Sequence, residues 1–278
     1  MKTFSLPSVR TLKDHNFWLA GIAVGLITIH LRLTDHIDGS SVSSLSLLFW
    51  LAAASLIWQK RDSLNLESGV FPSFLGIILI VAVLVRSSSL PTTEFLGVFP
   101  FLSSLGLALL ASGFKGLKQY WQELLILFFL GVPKATLFPV MDISVLTARF
   151  ATALLWYMGF DVLNQGVTVI LPGGGVNVQP VCSGLRGVFY LLGLAVLTLV
   201  MFPVSGVKKY FVPIVAMILA FVVNGFRVVV MAFFANAQNQ KGLAYWHDGQ
   251  GSLLFMLISV MLFGFFYLFL MRQERSEA

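Results

Sequence analysis

Apolar residues in this chain fall in long unbroken runs separated by short polar stretches, with almost no alternation of apolar and polar positions. Eight runs stand out: residues 17–31, 43–58, 70–85, 95–113, 124–140, 184–202, 210–235 and 252–271. A spanning helix needs about 20 mostly apolar residues, and flanking polar residues complete the shorter runs. Hydrocarbon offers no partner to an exposed peptide group, so spanning segments are helices or closed barrels. Continuous runs fit helices, whereas a barrel would alternate. The pattern predicts an all-α integral membrane protein, a polytopic bundle of about eight transmembrane helices. No linker, composition break or internal repeat divides it, so a single domain over residues 1–278 is expected.

The basic residues set the orientation. Lys2, Arg10 and Lys13, then Lys60 and Arg61, Lys115 and Lys118, Lys208 and Lys209, and Arg272 and Arg275 mark alternate loops. With eight crossings these groups share one face, which the positive-inside rule makes cytoplasmic. Both termini are then expected in the cytoplasm, with the chain in the cell inner membrane. A ninth run, residues 145–160, contains Arg149 and carries Trp156 and Tyr157 near its end. A crossing there would put the two halves out of phase. It is therefore expected at the outer interface, where aromatic rings favour the headgroup level; a re-entrant helix keeps the same parity. The same parity places residues 161–183 and 236–251 outside. The first run follows basic residues, as in a signal peptide. Arg32-Leu33-Thr34-Asp35 comes next in place of a small-residue cleavage site, so a retained anchor is expected.

Composition agrees with a membrane protein: 58% of residues are hydrophobic and 11% charged, against about 25% charged in soluble domains. The net charge of +6 would suggest nucleic acid in a soluble protein. Here the basic residues flank apolar runs, and no nucleic-acid partner is expected. The single cysteine excludes an intramolecular disulfide and a zinc cluster built on cysteines.

One stretch reads as strand. Val167-Thr168-Val169-Ile170-Leu171 is rich in β-branched residues, Pro172-Gly173-Gly174-Gly175 reads as a turn, and Val176-Asn177-Val178-Gln179 alternates. Together they predict a short extracytoplasmic β-hairpin. The glycines lack the helix and Lys-Ser/Thr of a phosphate loop. The hairpin leads into Cys182-Ser183-Gly184-Leu185-Arg186-Gly187, which opens the run 184–202. A cysteine at a helix N-terminus meets the positive end of the dipole, which favours the thiolate. Arg186, about one turn on, would add a second positive field. Lone cysteines also serve as small buried hydrophobes, and position alone leaves both readings open.

Two further residues bear on that choice. Arg227 lies inside an apolar run, eight residues before Ala235 and so about 12 Å below the end of the run. A guanidinium at depth costs at least ~2.5 kcal/mol without a polar partner, which makes it a functional candidate. Asn224, one turn earlier, is placed to orient it. No acidic residue occurs in that run or in 184–202, so the alternative to a functional arginine is snorkelling toward the surface. His247 precedes the last run and shares the outer face with Cys182. Histidine is the side chain best suited to moving a proton near neutral pH, although an interfacial histidine beside Trp246 needs no such role. His15, His30 and His36 lack such company. His247 with Asp248 makes a poor metal site, because adjacent side chains diverge, and neither metal nor cofactor is expected.

With these residues in place, the sequence resembles the exosortase/archaeosortase family, and looks like its cyanobacterial type. The matching strings are Cys182-Ser183-Gly184-Leu185-Arg186, Asn224-Gly225-Phe226-Arg227, and His247 with Gly251, preceded by strand-like segments around Pro172-Gly173-Gly174. They fall within residues 142–271. Where many members carry an acidic residue shortly before the cysteine, this chain has Gln179 and Pro180. The resemblance implies a membrane cysteine protease or transpeptidase, with Cys182, Arg227 and His247 catalytic and Arg186, Asn224, Ser183 and Gly184 in support. It implies membrane-anchored protein substrates ending in a Pro-Glu-Pro-like motif, one spanning helix and a basic tail. The acceptor would be water, a lipid or a saccharide-linked amine. The rival from another class is a polytopic transporter with Arg227 as an intramembrane counter-charge. It lacks support from an inverted repeat or paired broken helices.

Overall fold

A peptide group walled in by apolar side chains has only its own helical neighbour to bond, and each long apolar run here forms a helix. The computed structural model describes residues 15–89, 91–247 and 249–277. Lys2, Arg10, Lys13 and Asp248 lie outside the described residues. In chain order the elements are α1 (His15–Ile37), α2 (Ser40–Lys60), α3 (Val70–Ser88), α4 (Thr93–Gly116), α5 (Trp121–Leu137), α6 (Ser144–Tyr157), β1 (Leu163–Gln165), β2 (Thr168–Leu171), β3 (Gly174–Asn177), α7 (Leu185–Met201), α8 (Lys208–Asn236), α9 (Gln240–His247) and α10 (Gln250–Glu277). Among the described residues, six helical stretches are long and apolar enough to cross a bilayer: Asn16–Ile37, Ser40–Ser63, Val70–Ser88, Thr93–Leu137, Lys208–Asn236 and Gln250–Arg275. The stretch Thr93–Leu137 holds both α4 and α5, and the backbone of α4 breaks at Gly113, where φ is 63°. α7 is apolar but shorter, at 17 residues. The runs expected from sequence coincide with α1–α5, α7, α8 and α10, a polytopic all-α fold.

The chain forms two compact units, Met1–Ala135 and Thr136–Ala278. In the first, glycines let helices touch backbone to backbone. A Cβ on Gly76 would lie 2.6 Å from the Gly106 carbonyl, and one on Gly131 would collide with Gly97. Close approach at small residues is how helices associate where no water drives them together. His30 ties three helices: Trp50 Nε1 donates to its Nδ1 at 3.1 Å, and its Nε2 meets the Leu96 carbonyl at 3.2 Å.

In the second unit, α7, α8 and α10 share a core that includes Leu191, Ala195, Ala216, Ala220, Phe263 and Tyr267. α8 has 29 residues, a length of about 44 Å. Its two ends are therefore farther apart than the ~30 Å hydrocarbon layer is thick. At the Asn236 end a second core joins α6, the sheet and the last turns of α8 through Ala148, Leu155, Val169, Val176, Val228 and Ala235. The turn between β2 and β3 rests on α8: the Gly173 N–H donates to Asn236 Oδ1 at 2.8 Å, and Cβ atoms on Gly173 or Gly174 would collide with the Asn236 and Ala235 carbonyls.

The expected hairpin is in fact a three-stranded antiparallel sheet, ordered β1-β2-β3. β1, Leu-Asn-Gln, has no β-branched residue to announce it, and it is recruited by the turn at Gly166 (φ 61°). β3 begins at Gly174, so two glycines read as turn belong to the strand. Of the run 145–160, residues up to Tyr157 lie in α6, which is not among the stretches able to cross. It buries Ser144, Thr147, Ala148, Ala151 and Leu155.

Candidate active site

Cys182 sits in a turn between the sheet and α7. Its N–H donates to the Gln179 carbonyl at 2.8 Å. Ser183 Oγ donates to the Pro180 carbonyl at 2.8 Å and accepts the Leu185 N–H at 3.3 Å. Gly184 caps α7 with φ 89°, a left-handed conformation that costs other L-residues about 1–2 kcal/mol. The position also excludes a side chain sterically, since a Cβ would lie 2.6 Å from Asn224 Nδ2. α7 starts at Leu185, and Cys182 therefore precedes the helix by more than the sequence suggests.

Two neighbouring helices hold the loop by its carbonyls. Thr147 Oγ1 on α6 donates to the Ser183 carbonyl at 2.7 Å. Asn224 Nδ2 on α8 donates to the Cys182 carbonyl at 3.0 Å. The Cys182 residue is only 1% exposed and Ser183 is fully buried. Unpaired carbonyls at this depth would each be costly, so these bonds fix the loop as well as the sulfur.

His247 ends α9 and meets the cysteine: Sγ to Nε2 is 2.7 Å. Arg227 grips the same helix end from below. Its Nε donates to the Trp246 carbonyl at 3.0 Å, its Nη2 to the His247 carbonyl, and its Nη1 to Asn224 Oδ1 at 3.4 Å. The C-terminal carbonyls of a helix carry the negative end of its dipole and lack intrahelical donors, so a guanidinium is a fitting cap. This answers the missing carboxylate: the polar partners of Arg227 include main-chain oxygens from a distant segment.

The structure thus brings Cys182, Ser183, Gly184, Asn224, Arg227 and His247 into one cluster. It does not bring Arg186, which is exposed and stacks its guanidinium over the Phe138 ring at 5.8 Å. Thr147 and the Trp246 carbonyl were not foreseen, since a threonine in an apolar helix and a main-chain oxygen leave no mark in a sequence. Gly251 packs against the Trp246 ring, 2.5 Å from where its Cβ would stand. His247 also lines an open groove of about 300 Å³, walled by Gly175, Val176 and Asn177 on one side and by Gln240, Leu243 and Ala244 on the other.

Fold and cluster together define a multi-pass membrane protein with a buried thiol paired to an imidazole. The chain belongs to the transmembrane exosortase family, whose model (Exosortase_EpsH) matches residues 37–264. The match takes in α2–α5 as well as the motif-bearing half. Membership makes this a multi-pass membrane protein of the sorting-related transpeptidase and protease class, acting on proteins with C-terminal sorting signals. No curated protein and no solved structure matches the chain.

Proposed function

We propose that this protein, an exosortase of the cyanobacterial type, is a cysteine transpeptidase or protease with Cys182 as nucleophile. It cleaves envelope proteins within a C-terminal signal made of a Pro-Glu-Pro-like motif, a spanning helix and a basic tail. The observation that carries this reading is the 2.7 Å contact between Cys182 Sγ and His247 Nε2. His247 takes the thiol proton, and the sulfur forms a bond to the scissile carbonyl carbon. The C–N bond then breaks, His247 returns the proton to the leaving amine, and a thioester remains. Water or an amine attacks the thioester, giving its proton to His247, and the thiol is regenerated.

Arg227 has two tasks in this scheme. Its bonds to the Trp246 and His247 carbonyls hold the imidazole in place. The positive charge of the guanidinium stabilises the thiolate or the tetrahedral oxyanion. The site faces outward from the inner membrane with both termini cytoplasmic, and a basic substrate tail kept inside sets the depth of the scissile bond.

The test is a reporter protein ending in such a signal, coexpressed with the chain. Cys182→Ala is expected to insert and accumulate while leaving the reporter uncleaved. Undiminished cleavage by that variant ends the proposal.

A further inference from the structure

The open edge of β3 forms one wall of the groove that ends at His247. The Val178 N–H donates to the Val167 carbonyl at 2.9 Å. In an antiparallel ladder this makes 178, 176 and 174 the residues bonded to β2, so Gly175 and Asn177 aim their backbone groups the other way. Among the described residues, no hydrogen bond engages the N–H or C=O of Gly175 or the N–H of Asn177. An open strand edge is a template for another extended chain. Leu243, Ala244 and Met231 give the groove an apolar lining. A volume of about 300 Å³ is near the small end of ligand sites and holds a few residues of extended peptide.

We infer that β3 binds the substrate by strand addition: the extended segment before the substrate's membrane helix pairs with Gly175 and Asn177 and delivers its backbone to His247 and Cys182. This rests on the function proposed above and adds how the signal is recognised. The occupant is an extended peptide with prolines in alternate positions. In Pro-Glu-Pro the central residue turns its N–H and C=O to β3, while both proline nitrogens face away. A strand tolerates proline only where its nitrogen has no partner to meet, whichever way the peptide runs. Main-chain pairing gives affinity, and α9 limits the side chains that fit.

The test uses the full chain in proteoliposomes with the reporter described above. In a Cys182→Ala background, p-benzoylphenylalanine in place of Ala244 is expected to crosslink the reporter next to its motif, whereas the same probe at Phe265, on the exposed side of α10, is not. In the active protein, Ala244→Trp fills the groove and is expected to raise KM for the reporter at least tenfold with kcat within twofold. A reporter carrying Pro-Pro-Pro, which lacks the central N–H, is expected to be processed at least tenfold more slowly. Equal crosslinking at both positions, an unchanged KM for Ala244→Trp, or full-rate processing of Pro-Pro-Pro overturns strand addition. Normal cleavage by Cys182→Ala instead overturns the nucleophile, and crosslinking then decides the groove by itself.

Discussion

Two side chains of α8, Arg227 and Asn224, hold the segments that bring the Cys182 sulfur against an imidazole. Arg227 spreads its bonds over the Trp246 carbonyl, the His247 carbonyl and Asn224 Oδ1. A lysine there offers a point charge and no planar fork. Arg227→Lys is therefore expected to lower kcat/KM on the order of a hundredfold, as loss of a preorganised donor does. Wild-type rates from that variant would reduce Arg227 to a point charge. Asn224 donates to the Cys182 carbonyl at 3.0 Å. Asn224→Leu strands that buried acceptor, and stability should fall by about 1–3 kcal/mol. A melting curve of the purified variant in detergent measures it, and an unchanged Tm would show that the carbonyl finds another donor.

At the scale of elements, the loop that carries Cys182 is held more by its neighbours than by itself. α6 supplies the Thr147 bond to the Ser183 carbonyl at 2.7 Å. Thr147→Val keeps the shape and removes the donor, so a loss of about 1–3 kcal/mol is expected together with slower reporter cleavage. Cleavage at the wild-type rate would show the loop to be held without α6. In the first unit the contact of α4 with α5 depends on Gly97 and Gly131, where an added methyl group meets backbone that cannot swing aside. Gly131→Ala should cost about 1–3 kcal/mol through overpacking and reduce the amount of protein that accumulates. Accumulation and Tm equal to wild type would mean that the helices separate without penalty.

At the scale of the molecule, α8 acts as the ruler of the second unit. The turn between β2 and β3 rests on its Asn236 end, Lys208 and Lys209 mark the other, and the Cys182 loop meets α8 at Asn224, near the middle of the helix. At about 44 Å, α8 is longer than the ~30 Å hydrocarbon layer, so a crossing would set these ends on opposite faces of the bilayer. Two single-cysteine variants in a Cys182→Ala chain test the orientation. Gln165→Cys, exposed on β1, is expected to react with an impermeant maleimide from outside intact cells. Lys209→Cys should react only after permeabilisation, and the reverse pattern would invert the proposed topology.

Much of this was readable along the chain. Apolar runs dictate helices because lipid leaves a peptide group no other partner. Val167 to Leu171 announce a strand. Asn224 and Arg227 stand out because polar residues are costly among apolar neighbours, Cys182 because it opens an apolar run, and His247 because parity puts it on the same face as Cys182. β1 escaped notice because Leu-Asn-Gln has no intrinsic preference for a strand and is recruited by its partner. What sequence could not decide is what each polar group bonds. Arg186 looked like a second charge beside the thiol, yet it stacks over Phe138, and the burden falls on carbonyls of α9 that any residues would provide. Those pairings join residues between 19 and 65 positions apart. They are set by the packing of α6, α8 and α9 around one loop, and no local pattern encodes that packing.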